Sequence, residues 1–271
     1  MFRQRKEERN REMIYLIASD VDGTLLQNNE RIIRQEVIEA IKQLKEKGIM
    51  FAAASGRQYE NLKKLFFEVQ DDIAYICENG ALIKYKEKTV SKTPLDRYLG
   101  IDLLNDIDAR ENCEFVLSGE KTCYLRPHTS SFVEHVKNQI GNNVTLIKDF
   151  DEVKEPFLKI SIYNKNGINY DSDYYLNRWG EKLKTTVSGK CWMDFTNLFV
   201  NKGNALVILQ KLFDVNKDST MTFGDSYNDV DMFKESYYSY AMQDADGEIR
   251  NIAKHITPNV ESILNDVLRM R

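Results

Sequence analysis

The sequence predicts an α/β fold, a doubly wound parallel sheet with helices on its faces, interrupted by an inserted α+β domain. Three observations carry this reading. From Met13 to Cys77, short apolar runs alternate with segments of helical period, as expected of strands buried on both faces and joined by crossover helices. The texture then changes to shorter pieces that alternate apolar and polar residues, the mark of a sheet covered on one face. From Lys202 onward the first rhythm returns.

Met13–Ser19 reads as the first strand, its Ile14, Tyr15, Leu16 and Ile17 ending at acidic residues and Gly23. Val37, Ile38, Ile41 and Leu44 then recur at helical spacing, and Gly48 ends that helix. Ile49–Ala54 is a second strand, stopped by Ser55-Gly56-Arg57, and a helix follows to about Gln70. Ile73–Cys77 is a third strand, broken by Glu78-Asn79-Gly80. In the insert, strands are expected at Cys113–Leu117, Thr122–Leu125, Phe157–Tyr163, Lys184–Val187 and Cys191–Phe195. Two helices, Thr129–Ile140 and Ile168–Lys182, lie between them and are expected on one side of the sheet. Leu158-Lys159-Ile160-Ser161-Ile162 alternates strictly, so one face of that strand is solvated or faces a cleft. Lys84-Tyr85-Lys86-Glu87-Lys88 reads as a solvated hairpin turn. After Lys202 come a helix carrying Leu206 and Leu209, the strand Thr220–Phe223, a helix to about Glu235, the strand Tyr238–Met242 and helices near 246–254 and 261–269. The boundaries implied are 1–83 and 191–271 for the core and 84–190 for the insert.

A chain of 271 residues has the length of one to two domains at about 150 residues each, enough to form a core without disulfides. Lys and Arg total 38 and Asp and Glu 42, a net charge of −4 that argues against nucleic-acid binding by bulk charge. No apolar stretch reaches the roughly 20 residues of a membrane span, and Met13–Ala18 is too short for a signal peptide. The four cysteines form no CxxC pair, which argues against zinc and a disulfide framework, and they read as reduced thiols of a cytoplasmic protein. His128, His135 and His255 have no metal-spaced partners and read as structural. The first twelve residues, charged with both signs, are expected to be a mobile extension.

The chemistry lies where strands end. Asp20-Val21-Asp22-Gly23-Thr24 follows the first strand, Ser55-Gly56-Arg57 the second, and Gly224-Asp225-Ser226-Tyr227-Asn228-Asp229 a late one, while Lys202-Gly203 opens a helix. Ligands of open parallel sheets bind at the carboxyl ends of strands, so these segments can converge on one site. Clustered carboxylates repel unless a cation joins them, and hard oxygen ligands in this number suit Mg²⁺ bound together with a phosphate. A lysine, a serine hydroxyl and N–H groups at helix starts suit the phosphate oxygens. A carboxylate facing such a phosphate can attack phosphorus, and a second one two residues on can give and take the proton.

In order and spacing these four segments resemble the motifs of the haloacid-dehalogenase-like (HAD) superfamily, over about residues 13–260. Glu78-Asn79-Gly80-Ala81 and the insert resemble its Cof-like branch, largely phosphatases of sugar phosphates and small phosphoesters. The resemblance implies a Rossmann-like core and a cap formed by the insert, closing over the substrate. It implies Asp20 as nucleophile and Asp22 as general acid/base. Asp20, the backbone carbonyl of Asp22, and Asp225 would hold Mg²⁺, supported by Asp229 and Asn228. Ser55 and Lys202 would bind the phosphoryl group, helped by N–H groups near Gly23 and Gly56, and Thr24 would brace its turn. Asn79 and Arg57 divide evenly between substrate contact and local structure, as turn former and surface ion pair. Pro258-Asn259-Val260-Glu261-Ser262 departs from the family, which usually has an Asp-Gly pair there.

The expected function is therefore Mg²⁺-dependent hydrolysis of a small phosphomonoester, a sugar phosphate before others, through an aspartyl-phosphate. No nucleic-acid or membrane partner is expected, and the chain would be a monomer or weak homodimer. Two alternatives stand beside this. A sugar phosphomutase would return the phosphoryl group to a sugar. A receiver-like phosphate-sensing module would hold it, although such a module needs no insert of this size.

Overall fold

The computed structural model describes residues 13–28 and 30–270. The expected N-terminal extension, 1–12, lies outside the described residues. The larger sheet forms from eight strands: β1 (Leu16–Asp20), β2 (Met50–Ala54), β3 (Ala74–Cys77), β4 (Leu82–Tyr85), β5 (Lys88–Lys92), β12 (Thr220–Gly224), β13 (Tyr238–Met242) and β14 (His255–Thr257). Their spatial order is β14-β13-β12-β1-β2-β3-β4-β5. The pairs from β14 to β3 are parallel, whereas β4 and β5 add antiparallel. Every residue of β1 is buried, and alternate side chains feed two separate apolar layers. Ile17 joins Phe51, Tyr75 and Phe223 on one face; Leu16 and Ala18 join Ala52, Ile76, Leu206 and Leu209 on the other.

Helices supply those layers. α1 (Gln35–Glu46) buries Val37, Ile38, Ala40, Ile41 and Leu44, one apolar stripe at helical period. The helix α2 (Tyr59–Leu65) stops sooner than the expected Gln70, and the chain continues in a tight turn through Phe67–Val69. The helix α6 (Lys202–Phe213) covers the second face, its Asn201 side chain accepting the Asn204 N–H as a cap. Three shorter or later helices, α7 (Val230–Lys234), α8 (Gly247–Ile252) and α9 (Val260–Arg269), complete the core. Asn259, in the stretch that departs from the family pattern, caps α9 by accepting the Ser262 N–H.

The smaller sheet runs β10 (Lys184–Gly189), β11 (Trp192–Thr196), β9 (Lys159–Tyr163), β6 (Glu114–Ser118), β7 (Cys123–Leu125), β8 (Val144–Leu146). All its pairs are antiparallel except β7 with β8. One face packs on α3 (Arg97–Asp108) and α5 (Asn169–Trp179) through Leu103, Phe115, Ile160 and Tyr175. The other face is covered only at one end, where α4 (Ser130–Glu134) and its continuation to Ile140 bring Phe132 and Val136 onto Val116 and Cys123. The helices thus lie on both sides of this sheet, not on one.

Sheet membership moves both expected boundaries. The hairpin β4–β5 pairs with β3, so the boundary at 83/84 falls inside a strand of the larger sheet, which continues to Lys92. Trp192–Thr196 pairs with β9, so residues from 191 still belong to the smaller sheet, and the larger unit resumes with α6. Lys84, expected in a solvated turn, is 9% exposed and pairs with Glu120 from the β6–β7 turn. Among the described residues no helix is long and apolar enough to cross a membrane.

Candidate active site

β1 lies between β2 and β12, where the order of the parallel strands changes direction. Loops leaving such neighbours diverge and open a crevice at their carboxyl ends. Into it β1 delivers Asp20, β2 delivers Ser55, β3 delivers Glu78 and Asn79, and β12 delivers Asp225, while Lys202 enters from the first turn of α6.

The crevice floor is a buried charge cluster. Asp20 is 5% exposed; Lys202 and Asp229 are fully buried. Lys202 Nζ donates to Asp20 Oδ1 at 2.5 Å and to Asp229 Oδ1 at 2.6 Å. Asp229 Oδ2 accepts the Asp225 and Ser226 N–H groups, each at 3.0 Å, so this carboxylate clamps the turn. Thr24 donates its hydroxyl to Asp225 Oδ1 at 3.2 Å, which orients that carboxylate. Gly23, with φ +88°, passes so close that a Cβ there would overlap the Asp225 carboxylate.

Carboxylate oxygens of Asp20, Asp225 and Asp229 lie within 4.8 Å of one another. Three carboxylates against the single Lys202 ammonium leave two negative charges uncompensated. Burial pushes the Asp20 carboxyl well above its usual range; the Lys202 ammonium opposes this, and Asp229 and Asp225 add to it. Burial, then the Asp229 charge, likewise raises Asp225. For Lys202 burial works downward, but the Asp20 and Asp229 carboxylates outweigh it and keep the ammonium protonated. Asp20 Oδ2 is buried and has no hydrogen-bond partner among the described residues. An orphaned buried oxygen, two excess charges and an all-oxygen donor set fit a hard divalent cation held by Asp20 and Asp225.

The Asp22 side chain is not part of this cluster. It is 52% exposed and takes a bidentate pair from Arg57, Nε to Oδ2 at 2.8 Å and Nη2 to Oδ1 at 2.5 Å. The extended Arg57 reaches it easily, and a two-point guanidinium–carboxylate pair is favoured wherever geometry permits.

The Ser55-Gly56-Arg57 turn is pinned by its carbonyls. Ser55 O accepts the Asn79 N–H at 3.0 Å, Gly56 O accepts Lys159 Nζ at 2.8 Å, and Arg57 O accepts the Glu78 N–H at 3.1 Å. The buried Ser55 Oγ accepts the Arg57 N–H at 3.2 Å and keeps its own proton to donate. Glu78, Asn79 and Gly80 make this possible through three consecutive left-handed conformations, φ +52°, +57° and +107°. Two of these are non-glycine, a strain of order 1–3 kcal/mol each that the surroundings must hold. Asn79 Oδ1 accepts from Asn228 Nδ2 at 3.1 Å, while Asn228 Oδ1 is buried and unpartnered among the described residues. These residues line a cleft of about 1130 Å³ whose opposite wall belongs to the smaller sheet, with Ser118, Lys159, Ser161, Trp192 and Asp194.

The structure thus brings Asp20, Ser55, Gly56, Lys202, Gly23, Asn79, Asn228, Asp225 and Asp229 to one crevice, with Asp22 and Arg57 paired at its rim. Sequence reasoning missed Glu78 and Asp194 as members of the wall, and Lys159, which ties them to the Ser55 turn. The alternation of Lys159 and Ser161 against Leu158, Ile160 and Ile162 was the available signal, since it put both polar side chains on one face.

The chain matches the family model of haloacid dehalogenase-like hydrolases over residues 17–265. It is 26% identical over 243 residues to a 5-amino-6-(5-phospho-D-ribitylamino)uracil phosphatase of Escherichia coli, covering 89% of this chain and 90% of that one. A protein of the same name from Bacillus subtilis is 24% identical over 257 residues, covering 94% and 95%. A solved structure from Eubacterium rectale superposes with a TM-score of 0.84 at 26% identity, over 94% of this chain and 99% of that one. With the carboxylate crevice at the sheet's switch point and the matched span of nearly its whole length, this chain belongs to the haloacid dehalogenase-like hydrolases, in their Cof-like branch.

Proposed function

We propose that this chain is a Mg²⁺-dependent phosphatase of small phosphomonoesters, sugar and sugar-alcohol phosphates foremost, working through an aspartyl-phosphate on Asp20. The observation that carries the reading is the buried cluster of Asp20, Lys202, Asp225 and Asp229 facing the pinned Ser55 turn. The names of the two relatives support the substrate class, since each acts on the phosphate ester of a ribityl chain.

When bound, Mg²⁺ supplies charge neutralisation for the phosphoryl oxygens and the Asp20 carboxylate. The chain's own groups do the rest. Lys202 and the Ser55 hydroxyl hold the phosphoryl oxygens in line with Asp20. An Asp20 carboxylate oxygen forms a bond to phosphorus as the ester oxygen leaves, and Asp22, once parted from Arg57 and protonated from solvent, gives that oxygen its proton. Asp22, now a carboxylate, takes a proton from water; the water oxygen bonds to phosphorus, the Asp20–phosphorus bond breaks and phosphate leaves. Asp22 must exchange its Arg57 pair for the substrate, and Arg57 is then free for the departing group. The smaller sheet screens the site from bulk water.

The test is phosphate release from a panel of sugar phosphates, polyol phosphates and an aryl phosphate. Release that stops with EDTA and returns with Mg²⁺ is expected. Release that persists through chelation would remove the cation from the reading, and no release from any ester by folded protein would remove the phosphatase.

A further inference from the structure

Lys159 stands outside the four motifs, yet among the described residues its side chain reaches from the smaller sheet to bond the Ser55-Gly56-Arg57 turn, the phosphate loop of the proposed site. It opens β9 at the crossing point between the two units. Leu158 before it is buried in the core cluster of the larger sheet, and Ile160 after it in that of the smaller one. Such a position is a fixed base, not a mobile tip. The residue is 8% exposed, and its ammonium donates to Gly56 O at 2.8 Å. It also forms ion pairs with Glu78 at 2.6 Å and with Asp194 at 3.7 Å. Asp194 is held in turn by the Ser161 hydroxyl at 2.6 Å. Burial of the ammonium disfavours its charge, but the Asp194 and Glu78 carboxylates outweigh that and keep it protonated.

The Gly56–Arg57 peptide is therefore gripped at both ends. Its oxygen meets Lys159; its N–H is given to Ser55 Oγ at 3.2 Å. A cation on a carbonyl oxygen polarises the peptide and strengthens the bond its N–H donates. That bond leaves the Ser55 proton as the one free to point at a phosphoryl oxygen. The other two carbonyls of the turn are taken by backbone N–H groups of Glu78 and Asn79, from the larger unit. Without Lys159, the Gly56 carbonyl would lose the side-chain partner that fixes this peptide.

We propose that Lys159 is a positioning residue for the phosphate loop: by holding the Gly56 carbonyl, it fixes the peptide that orients the Ser55 hydroxyl toward the transferring phosphoryl group. This rests on the phosphatase reading above. Its role in catalysis is through the loop and not through the leaving group.

Lys159→Met alone leaves Glu78 buried and unpaired, so the informative variant is Lys159→Met/Glu78→Gln, measured against Glu78→Gln. Lys159→Met/Glu78→Met, with Asp194 still held by the Ser161 hydroxyl, serves if the first does not fold. The readouts are kcat and KM for a sugar phosphate and a small aryl phosphate, and the inhibition constant of inorganic phosphate. Loss of the Gly56 bond is expected to lower kcat/KM about 10–100-fold, equally for both esters, the scale of a small misplacement of a binding group. Inhibition by inorganic phosphate is expected to weaken in parallel. A loss that differs between the esters with phosphate inhibition unchanged would overturn the proposal in favour of a leaving-group contact. Unchanged kinetics would overturn it in favour of a purely structural ion pair. A wild-type protein that neither hydrolyses an ester nor binds phosphate would overturn the underlying phosphatase reading, and the proposal with it.

Discussion

At the residue scale the site is a problem of buried charge. Lys202 sits between Asp20 and Asp229 with no exposure of its own. Removing one partner of a buried pair strands the others, at a cost of about 3–5 kcal/mol. Lys202→Met should therefore melt well below the wild type and lose at least about 10³-fold in kcat/KM, the scale of one preorganised charge in a dry site. Scanning calorimetry and phosphate release check both; an active Lys202→Met would contradict the role given to this lysine. The Arg57–Asp22 pair is the opposite case, Asp22 being exposed and Arg57 half-buried. Such pairs contribute about 0–1 kcal/mol, so Arg57→Ala should shift the melting temperature little. The order of the turns along the chain made Asp20, Ser55, Lys202 and Asp225 legible in the sequence, because each follows a strand or opens a helix that any reading of periodicity finds. The Asp22–Arg57 pair was not legible: the residues lie on different loops, and only the fold brings a guanidinium to that carboxylate. The same holds for Lys159 and Glu78, which sit on different sheets.

At the element scale, apolar periodicity located the parallel strands, whose side chains are buried on both faces and so read as continuous runs. It missed α3, where Gly100 interrupts the helical stripe of Leu99, Leu103, Leu104 and Ile107. It also assigned the β4–β5 hairpin to the wrong unit. That hairpin turns on Lys86 and Glu87 at φ +49° and +63°, positions where glycine or asparagine would have signalled a tight turn. Two predictions belong here. Leu206, fully buried between the larger sheet and α6, should cost about 3 kcal/mol on truncation to alanine, or roughly 6–12 °C in melting temperature. A shift of less than about 1 kcal/mol would mean the layer collapses around the gap. The thiols form the second. Burial pushes Cys113 and Cys123 up to about 12, with the Asp171 carboxylate adding to the rise at Cys113, and drives the fully buried Cys77 up as well. Only Cys191 is partly exposed. A thiol reagent at pH 8 should modify one cysteine quickly and all four after unfolding, since the thiolate is the reacting form.

At the scale of the whole molecule, the two sheets divide the work. The larger one brings its strand ends together into a charged crevice; the smaller one lays a polar wall over it and reaches back through Lys159. The crevice has two negative charges more than its lysine balances, so Mg²⁺ should stabilise the folded chain, by about 2.7 kcal/mol at a hundred times its dissociation constant. Asp225→Asn should abolish that gain in a thermal melt, and a melt indifferent to Mg²⁺ would place the cation elsewhere. The proposed mechanism requires that Asp20 itself carry the phosphoryl group during turnover. The most direct measurement is acid quenching of the enzyme during hydrolysis of a phosphate-labelled ester, followed by mass spectrometry of the peptide that contains Asp20. Label is expected on Asp20 in the wild type and none in Asp20→Asn, with turnover lost in step. Full turnover with no label on Asp20, or label on another residue, would contradict that mechanism.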